Sequence, residues 1–269
     1  MKRKEFLHVS GSLMVLLAQG KISRANELSE EVLNKRAFRF AVASDGHYGE
    51  PGTEYAKYFH DVVGAINSEH EKDPFRFVVI NGDIVHDNKV HYPDAKQALD
   101  LLNCRYYVSQ GNHDQVTAEE WEKIWQMPVN LDFHYNKHAF LVATTSNEKG
   151  EYLCPDINWM KQMLEKHKRR QVYIFIHINP GKLTRHAVDC PELFGLFESH
   201  KNIKAIFNGH DHDEEGIKMR NGLPFIFDAH FGGSWGTSYR GYRVVEVMKD
   251  GSIITYIMNP TEKLAAATV

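Results

Sequence analysis

Five times along this chain an apolar run of strand length stops at side chains that bind metals well. FRFAVASD (38–45) stops at Asp45, FRFVVINGD (75–83) at Asp83, and CRYYVSQGNHD (104–114) at Asn112-His113-Asp114. VYIFIHINP (172–180) carries His177, and IKAIFNGHDH (203–212) stops at His210-Asp211-His212. Runs apolar at successive positions and rich in β-branched and aromatic residues read as strands buried on both faces. Helical patterns stand between them. They cover 55–71 with Tyr58, Val62, Val63 and Ile66 as the inner face, 92–102, 156–168 with Asp156 as N-cap, and 190–200. That alternation predicts an α/β fold with right-handed crossovers. AFLVATTS (139–146) adds a strand, and LPFIFDAH, YRVVEVM and SIITYIM, with glycine-rich turns, suggest a second, more antiparallel sheet. In open α/β sheets ligands bind beyond the carboxyl ends of the strands. One polar ending is ordinary loop chemistry, whereas five at one rim make a site.

Composition narrows the partners. A formal charge of -3 and a pI near 6.6 give no basic footprint, so no nucleic-acid partner is expected. Cys104, Cys154 and Cys190 have no zinc-knuckle spacing; at most one pair could bridge, and buried free thiols are the favoured reading. Residues 1–20 begin with Lys2-Arg3-Lys4 and continue with an apolar stretch shorter than the ~20 residues of a membrane span. They read as a secretory signal of twin-arginine type with Lys4 in place of the second arginine. This predicts an exported or periplasmic protein with no stable membrane anchor. The alternative is an amphipathic helix on a cytoplasmic protein. Residues 21–36 read as a linker, 37–260 as one domain and 261–269 as a flexible tail.

The donors at the strand ends are carboxylate, imidazole and amide, without thiolate. Such a set suits Mn, Fe, Zn or Co in an exchangeable site rather than structural zinc. Gly46, Gly82, Gly111 and Gly209 beside them predict sharp backbone turns. Asp45 and His47 are two residues apart, as are His210 and His212, so one loop can feed both side chains to one ion or one to each of two.

In this order, Asp45-x-His47, Gly82-Asp83, Gly111-Asn112-His113-Asp114, His177 and Gly209-His210-x-His212 resemble the calcineurin-like metallophosphoesterases. The resemblance implies a two-sheet β-sandwich flanked by helices, the αββα arrangement, with two transition-metal ions. One ion would take Asp45, His47 and His212, the other Asn112, His177 and His210, and Asp83 would bridge them. His113 would protonate the leaving group or steady the phosphoryl oxygens, with Asp114 orienting its ring. The implied activity is hydrolysis of small phosphomono- or phosphodiesters by attack of a metal-bound hydroxide. Two divalent ions bring +4 against -2 from two carboxylates, so the pocket stays cationic toward a phosphate ester.

Within the family, Asp83 is followed by Ile84-Val85-His86, not by the Arg-Gly of protein Ser/Thr phosphatases. Purple acid phosphatases would have tyrosine at the position of His86. The spacing is most similar to the bacterial cyclic-nucleotide and glycerophosphodiester phosphodiesterases, with the substrate itself left open. The alternatives are a catalytically inactive metal-binding scaffold of the same fold and a nuclease. His86, His134, His138, His186 and His230 read as surface or satisfied core histidines, with His230 the best outside candidate for a substrate contact. Gly232-Gly233-Ser234 reads as a plain turn.

Overall fold

The structure, a computed structural model, describes residues 14–16, 22–24, 34–228, 230–259 and 262–268. In chain order the strands of its first half are β1 (Met14–Leu16), β2 (Ile22–Arg24), β3 (Arg36–Ala43), β4 (Val78–Asn81), β5 (Tyr106–Ser109), β6 (Leu131–Tyr135) and β7 (His138–Ala143). Then come β8 (Gln171–Ile176), β9 (Ile203–Asn208), β10 (Ile217–Arg220), β11 (Leu223–Phe227), β12 (Tyr242–Met248), β13 (Ile253–Asn259) and β14 (Glu262–Thr268). The helices are α1 (Tyr55–Lys72), α2 (Tyr92–Leu99), α3 (Ala118–Trp125), α4 (Ile157–Lys166) and α5 (Pro191–Ser199).

Alternation along β3 explains the layering. Phe38, Phe40 and Val42 point to one face and Ala41 and Ala43 to the other, as the two-residue period of a strand requires. The large side chains meet Phe140, Tyr173, Phe175 and Phe207 of the second sheet; the alanines leave room for Phe59, Val62 and Ile66 of α1. Phe40 sits in the middle, stacked on Phe77 at 4.9 Å and edge-on to Phe140 and Phe207, each at 5.8 Å. The second sheet repeats the device: Leu141, Ile174 and Ile206 face outward onto Met160, Leu164, Leu193 and Phe197 of α4 and α5. Two sheets, ordered β2-β1-β14-β13-β12-β3-β4-β5 and β10-β11-β9-β8-β7-β6, are thus flanked by helices, the expected αββα sandwich.

β3, β4 and β5 are parallel neighbours, and so are β7, β8 and β9. Their carboxyl ends are tied together. Asp45 N–H donates to Gly82 O at 3.1 Å, Gly209 N–H to His177 O at 3.0 Å, and His210 N–H crosses between sheets to the Asp45 carboxylate at 3.0 Å.

Several expectations shift. The inner face of α1 uses Phe59, not Tyr58; the Tyr58 ring is half-buried under the Arg240 guanidinium at 3.8 Å. Helix α3 and strand β6 did not register in the sequence pattern. α3 makes only about two turns, yet it has a capping box between Thr117 and Glu120 and buries Trp121 and Trp125. Residues 262–268, read as a flexible tail, pair antiparallel with β13. The cysteines are not all free: Cys154 and Cys190 form a disulfide with Cα atoms 5.7 Å apart, and Cys104 alone is a thiol. A separation of 36 residues hides such a pair, because only the chain path brings the loop before α4 to the start of α5. Apart from 14–16, residues 1–20 lie outside the described residues, so the signal reading does too. Among the described residues no helix is long and apolar enough to cross a membrane.

Candidate metal centre

The loops at this rim are bent into backbone conformations that ordinary residues avoid. Asp45 (φ 58°), His47 (47°), Asp83 (51°) and His210 (71°) all lie in the left-handed region. Each such non-glycine residue costs about 1–3 kcal/mol and persists where the surroundings over-determine it, most often at functional sites. Here the surroundings include His47 N–H donating to Asp83 O at 2.9 Å and Gly232 N–H to Asp45 O at 2.9 Å. Of the four glycines expected to turn the backbone, only Gly82 has a positive φ, 86°. Gly209 serves by clearance instead: a Cβ there would run into Ser44 Oγ and stand 2.7 Å from Asp45 Oδ2.

The bent loops converge two sets of donors, each with ligand atoms within 4.8 Å of one another: Asp45, His47 and His212, and Asp83, His177 and His210. His212 Nε2 is 3.2 Å from Asp45 Oδ1, and His47 Nε2 is 3.1 Å from His212 Nε2. Asp83 Oδ2 lies 3.0 Å from His177 Nε2 in one set and 3.9 Å from His47 Nε2 in the other. Asp45 Oδ1 in turn lies 3.7 Å from His177 Nε2, so the carboxylate of each set also faces an imidazole of the other. The imidazoles are aimed from behind. His177 Nδ1–H donates to Asn81 O at 2.7 Å and His212 Nδ1–H to Trp235 O at 3.2 Å, which leaves each Nε2 lone pair facing the centre.

The donors also fit ions on a second criterion. Asn112 Oδ1 and His210 Nε2 are buried and have no hydrogen-bond partner, and His177 Nε2 has only its 3.0 Å ion-pair contact with Asp83. A buried polar atom without a partner costs about 1–3 kcal/mol, so such donors on the metal-binding loops call for an explanation. These are the three donors that the resemblance assigns to the second ion. Two clustered metal-ligand sets of this kind are what a dinuclear phosphoesterase centre requires.

Without an ion, the acids and imidazoles answer one another. Burial alone would push the Asp45 carboxyl up, but the facing His212 and His177 rings outweigh it and hold it far below the usual carboxylate range. Burial likewise opposes ionisation of Asp83, and His177 overrides it. His177 pays a burial penalty too, yet Asp83 and Asp45 raise it to about 10. Burial and the neighbouring His177 drive His210 down to about 4.

Two predicted partners are placed differently. The His113 ring is not oriented by Asp114: its Nδ1–H donates to Asp87 Oδ1 at 2.7 Å, and Gln115 Nε2 also donates there at 2.9 Å. Asp114 is fully buried and accepts from the backbone N–H groups of Ile84 (3.2 Å), Val85 (2.9 Å) and Gly111 (3.0 Å). It fastens the loops that carry Asp83 and Asn112. Burial, with Asp83 close by, raises its carboxyl to about 7. His230 is buried, with Nδ1 on Gly232 O at 2.6 Å and Nε2 on Thr237 Oγ1 at 3.0 Å, and its ring backs His212 at 4.8 Å. It is a supporting residue, not a substrate contact.

Other neighbours escaped the sequence reading. His86 stacks on His113 at 4.8 Å and places Nδ1 3.1 Å from His47 Nδ1, so it belongs to the site's edge rather than to a plain surface. Trp235 stacks on His212 at 4.3 Å, and Tyr152 meets the His210 ring edge-on at 4.9 Å. Only the separation of His86 from Asp83 offered a sequence cue; nothing local marks the other two.

The sequence profile of calcineurin-like phosphoesterases matches residues 38–214, a span that contains every donor above. A probable cyclic nucleotide phosphodiesterase of Coxiella burnetii is 24% identical over 208 residues, covering 71% of this chain and 82% of that protein. A dimetal phosphatase from Danio rerio has a similar structure, with a TM-score of 0.68 at 15% identity over 87% of this chain and 99% of that one. GAP50, described as the anchor in the inner membrane complex of Plasmodium, superposes with a TM-score of 0.60 at 16% identity over 86% and 87% of the two chains. At such identities these structures speak for the fold alone.

Proposed function

The chain belongs to the calcineurin-like phosphoesterase family, and from that premise we propose that it is a dinuclear-metal hydrolase of small phosphodiesters or phosphomonoesters. The observation that carries the reading is two adjoining donor sets whose carboxylates, Asp45 and Asp83, each face both, with Asn112 Oδ1 and His210 Nε2 left unpartnered. Fold does not decide between enzyme and scaffold, since proteins described as a phosphatase and as an anchor both resemble this chain. What favours the enzyme is His113, which is not a metal ligand in the family and is held by Asp87 beside the donor sets.

Asp45, His47 and His212 would hold one ion, Asn112, His177 and His210 the other, and Asp83 both. Bound there, the pair would supply Lewis acidity toward the phosphoryl oxygens and a lowered pKa for the attacking water. The chain's own residues do the rest. Backbone ties from Gly82, Asp83 and Gly232 fix the donor loops, so little reorganisation accompanies the reaction. Asp87 takes the Nδ1–H of His113 and supports the imidazolium form, whose Nε2–H would give its proton to the departing oxygen. The inclusion of diesters draws on the Coxiella relative and on the motif spacing. Export is part of the same proposal. The basic N-terminus supports it, and so does the Cys154–Cys190 disulfide, a bond that persists in oxidising compartments.

The test is reconstitution with Mn, Fe, Zn or Co, elemental analysis, and turnover of aryl phosphodiesters and monoesters from pH 6 to 9. The expected result is about two ions per chain and measurable turnover, with His113→Ala keeping both ions and losing roughly 100- to 10,000-fold in rate. Two ions bound with no turnover on either ester class would establish the scaffold reading.

A further inference from the structure

Among the described residues six large apolar side chains stand exposed, and two of them pack on the histidines of the Gly209-His210-Asp211-His212 loop. Trp235 is the more singular. Its indole lies parallel to the His212 ring, 4.3 Å away and tilted by only 9°. His212 is in turn backed by His230 at 4.8 Å and 17°, so three rings form one stack ending in the indole. The indole also stands 4.8 Å from His47 and 6.3 Å from both His86 and His113. Yet 43% of the residue remains exposed. Leaving that much aromatic surface in water forgoes about 25 cal/mol for every Å² not buried, at a spot where the rest of the wall is polar.

The loop beneath is held rigidly. Gly232 N–H donates to Asp45 O at 2.9 Å, Arg240 Nη2 to Gly233 O at 2.7 Å, Ser234 Oγ–H to Glu50 Oε1 at 2.5 Å, and Thr237 N–H to His212 O at 3.1 Å. A ring fixed in place by its own loop loses little entropy when a ligand covers it. A glycine-rich turn that served only to reverse the chain would not need four such ties or an indole at its tip.

We propose that Trp235 is the binding platform for a planar ring on the leaving-group side of the ester, so that the preferred substrates carry an aryl or nucleoside group next to the scissile bond. The inference rests on the phosphoesterase reading above and deepens it. Side follows from position. Trp235 shares its neighbourhood with His113, the group placed to protonate the departing oxygen, whereas Tyr152, 42% exposed, stands against His210 of the other donor set. Ring-on-indole stacking is tolerant of the ring's identity, so the platform selects a class rather than one compound.

The experiment uses two unreactive phosphonates, phenylphosphonate and methylphosphonate, titrated calorimetrically into the metal-loaded protein. The wild type should bind the phenyl compound roughly five- to tenfold more tightly, the range that aromatic stacking supplies. In Trp235→Ala that ratio should fall to within about twofold of one, and Trp235→Phe should restore most of it, with metal content checked in each. Trp235→Leu reads the same ratio should the alanine variant fail to fold. Equal constants for the two compounds in the wild type overturn the platform while leaving the phosphoesterase reading intact. Loss of the ratio in Tyr152→Ala but not in Trp235→Ala puts the ring on the other side and also overturns it. Failure of both phosphonates to bind takes the phosphoesterase reading down, and this proposal with it.

Discussion

At the start of β3, Arg36 binds Asp73 through both guanidinium amines at 2.6 Å and reaches Glu246 at 2.8 Å, while Arg39, 3% exposed, binds Asp73 at 2.6 Å and Glu69 at 2.7 Å. Just past the end of the same strand, Asp45 and His47 join Asp83, His177, His210 and His212. Both ends bury charge, but they neutralise it by different means. The first end supplies its own counter-charges: two arginines face three carboxylates in bidentate or short contacts, and the one donor without a hydrogen bond, Arg39 Nε, still stands 3.9 Å from Glu246. The second sets carboxylates among imidazoles and leaves Asn112 Oδ1 and His210 Nε2 without partners. A closed ion-pair network serves folding, whereas a buried cluster with donors left over is completed by a ligand from outside.

That contrast can be broken or sharpened by measurement. The largest effect should come from Asp83→Asn, which removes the carboxylate assigned to bridge the two ions. Turnover should fall by at least about 100-fold, and the metal content by elemental analysis should fall with it. Normal metal content in that variant would end the bridging assignment.

Stripping the ions should matter next. Any ligand held at 1,000 times its Kd stabilises the fold by about 4 kcal/mol, so the chelator-treated protein should unfold at a clearly lower denaturant concentration than the metal-loaded one. An unchanged midpoint would mean that the rim is not completed by metal.

The smallest effect belongs to the other end of β3. Asp73 is 33% exposed and Arg39 nearly buried, so Asp73→Asn should cost about 2 kcal/mol, between the values for surface and buried pairs, and should leave metal content untouched. The acid limb gives a second readout. Burial would raise the Asp73 carboxyl, but Arg36 and Arg39 hold it below its ordinary value. A depressed folded pKa contributes stability that is full above about pH 4 and fades as pH falls through the folded value. Asp73→Asn should therefore lose less stability below pH 4 than the wild type does. Equal acid limbs would show that the pair carries no such linkage.

The donor types, their order and the strands that bear them were legible in the residues. Apolar runs report burial on both faces, and the polar residues that end them report where the sheet meets solvent. α1 was legible too, although its inner face was displaced by one residue because Tyr58 lies under Arg240 rather than in the core. α3 was missed because it makes only about two turns, although its Thr117/Glu120 capping box was there to be read. Contacts between distant segments left no such trace. Asp114 follows His113 directly, yet its carboxylate is drawn into the loop by three backbone N–H groups, and Asp87 from another loop takes the ring instead. The disulfide was invisible for the same reason.

What the sequence determined by itself was an α/β alternation with a second sheet and a rim of carboxylate, imidazole and amide donors, because periodicity and residue type encode burial and chemistry locally; the sandwich and the bridging acid followed from the family resemblance. What only the tertiary structure decided was the pairing: which carboxylate holds His113, which two cysteines join, and which indole lies against His212. Such pairings depend on where turns and crossovers bring separate strands in space, and neighbouring residues in the chain carry no record of that path.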